Sequence, residues 1–128
     1  MIVDTSVLVA VLRNEPEAAD LLRLMQDHGP MRVSAATLVE AAVVLGQTRH
    51  GDLDDLLHGL AAVVEPFDLE QASAARSGYA RYGKGSGSRA RLNLGDSYSY
   101  ALARVTGEPL LFKGDDFAHT DVVPALPA

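Results

Sequence analysis

Met1-Ile2-Val3-Asp4-Thr5-Ser6-Val7-Leu8-Val9-Ala10-Val11-Leu12 opens the chain with a single carboxylate between two apolar runs. An ionised Asp in such surroundings is costly to bury unless it is paired or binds a metal. A short apolar run, an Asp, two hydroxyl residues and a second apolar run read as strand, turn and helix start. In an α/β fold that junction is the carboxyl end of a strand, where ligands bind. Asp4 is equally suited to capping the next helix, because an Asp side chain accepts from the free N–H groups of a first turn. The choice between cap and ligand turns on whether other carboxylates occupy equivalent junctions.

Further along, Glu15-Pro16-Glu17 has the proline and acids of a helix start, Leu21, Leu22, Leu24 and Met25 form a helical apolar stripe, and Gly29-Pro30 ends it. Met31–Ser34 reads as a second strand and Thr37–Leu45 as a mostly apolar helix stopped near Gly46. Asp52–Val64 reads as another helix, and Val63–Phe67 turns into a short strand that Pro66 assigns to an edge. Asp68 caps a helix to Tyr82 with Ala72, Ala75 and Tyr79 along one face, and Gly83–Ser88 is a flexible loop. Gly95-Asp96-Ser97 opens a helix closed near Gly107, Pro109–Phe112 is an apolar strand, Lys113–Phe117 a tight connection and Asp121–Pro124 a last edge strand. Strands alternating with helices predict an α/β fold, a mostly parallel central sheet flanked by helices.

A chain of 128 residues, 48% apolar and 22% charged, has the size and composition of one globular domain, residues 1–128. The absence of cysteine excludes disulfides, thiolate nucleophiles and zinc–thiolate sites. No stretch has the length of a membrane span and no signal-type leader opens the chain, so a cytoplasmic protein with no membrane partner is expected. A net charge of −6 argues against a general nucleic-acid coat protein, yet five of the eleven basic residues (Arg76, Arg81, Lys84, Arg89, Arg91) fall in one stretch without an acid. Such a stretch can hold a phosphate backbone. His28, His50, His58 and His119 show no ligand spacing and read as surface residues.

Carboxylates do recur at the junctions. Asp4 follows the first strand, Glu40 lies early in the helix after the second, Asp96 opens the helix after the basic stretch, and Asp115-Asp116 follow the Leu110–Phe112 strand. A parallel α/β sheet brings these junctions to one edge. Acids gathered there repel unless a hard cation joins them, and oxygen ligands without Cys or a His pair favour Mg²⁺ or Mn²⁺. Such an ion activates water and stabilises a phosphoryl group undergoing in-line displacement. Taken singly, each acid also has a structural role open to it. Thr37-x-x-Glu40 matches a capping box, Asn93-x-x-Asp96 puts an acid at a helix start, and Asp115 suits a turn.

Ile2-Val3-Asp4-Thr5-Ser6, the Val33-Ser34-Ala35 to Glu40 segment, Leu94-Gly95-Asp96, and Leu110 to Phe117 resemble a PIN domain, and within it the VapC-type toxins of type II toxin–antitoxin systems. Arg81-Tyr82-Gly83-Lys84-Gly85 and Leu92 to Ala103 resemble one VapC subgroup, so the likeness spans the chain in order. The resemblance implies a three-layer PIN-like fold and a Mg²⁺-dependent endoribonuclease, homodimeric and held inactive by a VapB-type antitoxin. It places Asp4 and Asp96 as metal ligands, Glu40 as the acid that orients the metal-bound water, and the Thr5 and Ser6 hydroxyls in that shell. For the fourth acid it offers Asp116 first and Asp115 second.

The basic stretch Arg76–Arg91 immediately precedes Asp96 and is expected to guide an RNA backbone across the acids, with Tyr79 and Tyr82 stacking bases. Leu8, Val11, Leu21 and Leu24 are candidates for an antitoxin groove. Competing readings are a DNA or structure-specific nuclease on the same acids and a catalytically silent antitoxin-binding module. A phospho-acceptor receiver domain fits less well, because its acidic pair belongs at the first strand and here Asp4 stands alone.

Overall fold

The computed structural model describes residues 1–126. Four parallel strands, β1 (Ile2–Val3), β2 (Arg32–Ser34), β3 (Val63–Glu65) and β4 (Leu110–Leu111), pair in the order β3-β2-β1-β4. Ile2 stands opposite both Arg32 and Leu110, and Arg32 opposite Val63. Parallel neighbours need long crossovers. Here they are α1 (Thr5–Leu12) and α2 (Ala18–Asp27), then α3 (Ala35–Leu45) and α4 (His50–Gly59), then α5 (Leu69–Tyr82) and α6 (Leu94–Thr106).

Successive strand residues face opposite sides of a sheet, and in this sheet both sides are covered. Val3 and Leu111 join Val7, Leu8, Leu21, Met25, Met31, Val33, Ala41 and Leu53 in one core. Ile2 and Leu110 join Tyr82, Leu92, Tyr100, Leu102 and Phe117 in the other. The result is the expected three-layer α/β arrangement. Each fully buried Ile, Leu or Val contributes about 1.5–3 kcal/mol, so two-residue strands are held mainly by the helices packed on them.

The structure corrects several sequence-based boundaries. The helix expected over Asp52–Val64 starts at His50 and ends at Gly59, with Ala61 in the left-handed region at φ 50, and β3 takes the following residues as an edge strand. Ser34, not Thr37, caps α3: its hydroxyl accepts from the Ala36 N–H at 3.2 Å. Thr37 is a buried residue inside that helix, so its spacing to Glu40 is not a capping box. The last expected strand shrinks to a single parallel bridge between Leu110 and Pro124, in which Leu110 N donates to Val123 O and Ala125 N to Leu110 O, each at 2.8 Å. The Gly83–Ser88 loop is pinned at its neck, where Leu92 N donates to Tyr82 O and Lys84 N to Leu92 O, each at 2.9 Å.

Gly78 sets the closeness of α5 and α6. A Cβ there would lie on the ring of Tyr100, which is buried beside Tyr82 and anchored by its hydroxyl donating to Asp121 Oδ1 at 2.9 Å. Overpacking of this kind costs roughly 1–3 kcal/mol, against about 1 kcal/mol gained when Ala replaces Gly in a helix. Gly78→Ala is therefore expected to lower stability in urea unfolding. Parental stability would mean that the Tyr100 ring swings aside freely.

Candidate metal centre

Asp4 ends β1 and caps α1, so the cap and the ligand readings describe the same residue. Its Oδ2 accepts from the Ser6 N–H at 3.1 Å and from the Ser6 hydroxyl at 2.7 Å. That hydroxyl in turn accepts from the Lys113 N–H at 3.0 Å. One short side chain thus ties the first acid to the loop that carries the last ones. Asp4 is 3% exposed, and its other oxygen, Oδ1, is buried and accepts no hydrogen bond of normal geometry, although the Ser99 hydroxyl lies near enough to the carboxyl to favour its charged form.

Asp96 occupies the third position of α6 in a reciprocal cap: Asn93 Oδ1 accepts from the Asp96 N–H at 2.8 Å, and Asp96 Oδ2 from the Asn93 N–H at 3.0 Å. Here the structural and the site readings again coincide. Glu40 reaches across from α3, and its Oε1 accepts from the Thr5 hydroxyl. Asp4, Asp96 and Glu40 each give one oxygen to the chain, and no side-chain hydrogen bond among the described residues takes the other.

These acids act on one another. Burial, then the charges of Asp4, Asp116 and Glu40, push the Asp96 carboxyl up to about 7, against the pull of the Asn93 N–H. Burial pushes Asp4 up against the neighbouring Ser99 and Ser6 hydroxyls, and pushes Glu40 up, with Asp4 adding to it and Thr5 opposing. No cationic side chain lowers any of the three. The one lysine on the adjoining loop, Lys113, is engaged by Glu15 at 2.9 Å and Glu17 at 2.5 Å. Asp116, exposed at the start of the 3₁₀ turn Asp116–His119, is the member of the adjacent pair whose charge reaches Asp96; Asp115 precedes that turn and lines a separate cavity with Leu110, Phe112 and Pro124.

A hard divalent cation fits this donor set. The ligands are carboxylate oxygens, one of them buried outside any hydrogen bond of normal geometry, and nothing positive offsets them. As they stand, no three acidic or histidine side chains among the described residues close tightly enough to enclose an ion.

Two buried hydroxyls adjoin the acids: Ser99, which lies beside Asp4, and Thr37, which the sequence offered only as a cap. Thr37 Oγ1 and Ser99 Oγ lie 3.4 Å apart, both fully buried. The signal for Ser99 was present, since it stands three residues after Asp96 and so on the same helix face.

All five basic candidates are exposed. Arg76 lines an apolar cavity with Phe67, Tyr79, Leu94, Ser97 and Tyr98, on the turn of α6 that carries Asp96. Arg81 faces the other way, 4.0 Å from Asp121 and over the Tyr82 ring. Tyr82 itself is only 8% exposed within the second core and is unavailable for base stacking, whereas Tyr79 is 38% exposed. Two of the four proposed groove residues are corrected: Leu8 and Leu21 are 1% and 5% exposed and belong to the first core, whereas Val11 and Leu24 are half-buried at its edge. The exposed large apolar side chains of α3 are Val39, Val43 and Val44. All four histidines are exposed, with His28 and His50 bonded to backbone carbonyls.

Residues 1–123 match the PIN domain, and the chain belongs to that family. Curated relatives of the chain include VapC ribonucleases. Ribonuclease VapC42 of Mycobacterium tuberculosis is 47% identical over 129 aligned residues, covering 98% of each chain. Ribonuclease VapC28 of the same organism is 46% identical over 130, again with 98% of each covered. Among solved structures, the Mycobacterium tuberculosis sarcin–ricin-loop-cleaving toxin VapC20 superposes with a TM-score of 0.76 at 18% identity over 98% of both chains, a likeness of fold. No helix among the described residues is long and apolar enough to cross a membrane.

Proposed function

We propose that this protein is a divalent-metal-dependent endoribonuclease toxin of a type II toxin–antitoxin pair, using Mg²⁺ or Mn²⁺ and silenced by a VapB-type antitoxin. The observation that carries the reading is the gathering of Asp4, Glu40, Asp96 and Asp116 into one set of like charges that no cation offsets, with Asp4 Oδ1 buried outside any hydrogen bond of normal geometry. The ribonuclease names of relatives at 46–47% identity support the substrate class. A cytoplasmic homodimer accords with the family, and no observation favours DNA over RNA.

Asp4 and Asp96 hold the metal in this proposal, with Asp116 as the fourth acid and Asp115 outside the cluster. The bound ion would supply Lewis acidity and a water of lowered pKa. Ser6 fixes the rotamer of Asp4 through its hydroxyl, and Asn93 fixes Asp96 through its backbone N–H. Glu40, one oxygen of which is held by Thr5, completes the acidic cluster and would help to orient the attacking water. Incubation of the purified protein with total bacterial RNA, with Mg²⁺ or with EDTA, tests the proposal. Discrete fragments that require the metal are expected; intact RNA under both conditions, with DNA cut instead, would overturn it.

The exposed basic loop is assigned to phosphate contact. Lys84→Ala/Arg89→Ala/Arg91→Ala is expected to raise KM, leave kcat and thermal stability near the parent's, and flatten the salt dependence of RNA binding by roughly one slope unit per cation that touches phosphate. An unchanged slope would remove this loop from the RNA path.

A further inference from the structure

We infer that Gly95 is a positioning residue: α6 omits a side chain there so that the Glu40 carboxylate can lie directly against its backbone. The inference deepens the metal-nuclease reading and rests on it for its link to catalysis. Gly95 is the second residue of α6, between Leu94 and Asp96. Glycine in a helix costs about 1 kcal/mol relative to alanine, and nothing local requires it. Gly95 is not among the glycines with positive φ, and the cap is made by Asn93 and Asp96.

The requirement comes from another layer of the fold. A Cβ on Gly95 would coincide with the Glu40 carboxyl group, meeting Oε2, Cδ and Oε1. Glu40 arrives from α3, and Thr5 of α1 donates to its Oε1. Three elements therefore meet at one carboxylate: α3 supplies it, the start of α1 holds one oxygen, and the bare Cα of α6 gives it room. The positive end of the α6 dipole also favours a carboxylate at that spot.

Gly95 differs in kind from Gly78. At Gly78 the obstacle is the body of an aromatic ring anchored by its hydroxyl, whereas at Gly95 it is the far end of a flexible side chain. Gly95→Ala can thus fold without backbone movement, but Glu40 must turn away and release Thr5. Shortening that side chain by one methylene, as Glu40→Asp does, makes room for the new methyl group.

The test compares the parent, Gly95→Ala, Glu40→Gln and the double variant Gly95→Ala/Glu40→Asp. It reads thermal stability, the carboxyl ¹³C resonance of Glu40 in metal-free protein, Mn²⁺ affinity by electron paramagnetic resonance, and RNA cleavage. Gly95→Ala is expected to melt no lower than the parent and to shift the Glu40 resonance. It should also lose on the order of 10- to 100-fold in Mn²⁺ affinity or turnover, as displaced supporting groups at metal sites do. Cleavage should approach that of Glu40→Gln and recover at least partly in the double variant. An unmoved Glu40 resonance in Gly95→Ala would overturn the seat itself. A moved resonance with parental Mn²⁺ binding and cleavage would overturn its role in positioning. A parent that neither binds Mn²⁺ nor cuts RNA would instead sink the metal-nuclease reading, and with it the link between seat and catalysis, while the shifted resonance still reported the seat.

Discussion

Asp4→Asn and Asp96→Asn are each expected to abolish metal-dependent RNA cleavage while melting at or above the temperature of the parent. The two halves of that result have one cause. Asp4, Glu40, Asp96 and Asp116 act on one another as like charges, and no basic side chain relieves them. Replacing one carboxylate by an amide removes repulsion and the cost of burying a charge, so folding gains. The hydrogen bonds that fix these side chains survive, because an amide oxygen can still accept from Ser6 at position 4 and from the Asn93 N–H at position 96. What disappears is anionic charge at Asp4, whose Oδ1 accepts no hydrogen bond of normal geometry, or at Asp96, on which the charges of Asp4, Asp116 and Glu40 all act. Metal-supplied charge stabilisation is worth several kcal/mol at the transition state, so the rate should fall by about three orders of magnitude or more. Thermal melting beside a discontinuous cleavage assay measures both halves. Cleavage within tenfold of the parent in either variant would remove that acid from the metal's ligands; a large drop in melting temperature would make it a structural cap alone.

Asp4 shows why capping and ligation could not be separated from sequence. An Asp at the end of a strand and the start of a helix can serve both needs with different oxygens, and only the structure shows that the cap uses Oδ2. Asp96 behaves the same way within its reciprocal cap with Asn93. The alternation of short apolar runs with longer amphipathic ones was enough to expect a parallel sheet between two helical layers, because periodicity is a local property. Misreadings arose where a local pattern had two solutions. Thr37-x-x-Glu40 has capping-box spacing, but Ser34 lies one turn earlier and takes the cap, which frees Glu40 to cross to Thr5. Tyr82 and Leu8 carry apolar surface that could face water or core, and contacts distant in sequence decided for the core. Asp115 and Asp116 differ by a rotation of one residue that a 3₁₀ turn resolves and their neighbours do not. Gly95 was visible as a letter, but its reason lies on another helix.

Without metal, the protein is expected to lose stability as pH rises from about 4 to about 7, and Mg²⁺ should cancel that loss. Asp96 titrates near 3.8 in the unfolded chain and near 7 in the folded one, so between those values the native state keeps a proton that the unfolded state has released. Stability falls with pH wherever the native state binds more protons. The contribution of Asp96 is therefore fully present below pH 4 and gone above its folded pKa. Asp4 and Glu40 are displaced in the same direction and add to the slope. A divalent ion bound as proposed would compete for the same oxygens and release the proton. Below pH 7 the affinity for Mg²⁺ should then rise about tenfold per pH unit for each proton displaced. Cleavage at limiting Mg²⁺ should climb with pH and level off near neutrality, and excess Mg²⁺ should move the climb to lower pH, because mass action lets the ion displace the proton sooner. Melting curves across this range with EDTA or Mg²⁺, beside calorimetric titrations in buffers of different ionisation enthalpy, separate the two ligands of the site. A melting temperature flat from pH 4 to 7 without metal, together with Mg²⁺ binding that releases no proton, would show that these carboxylates are already ionised and that something other than the ion holds them together.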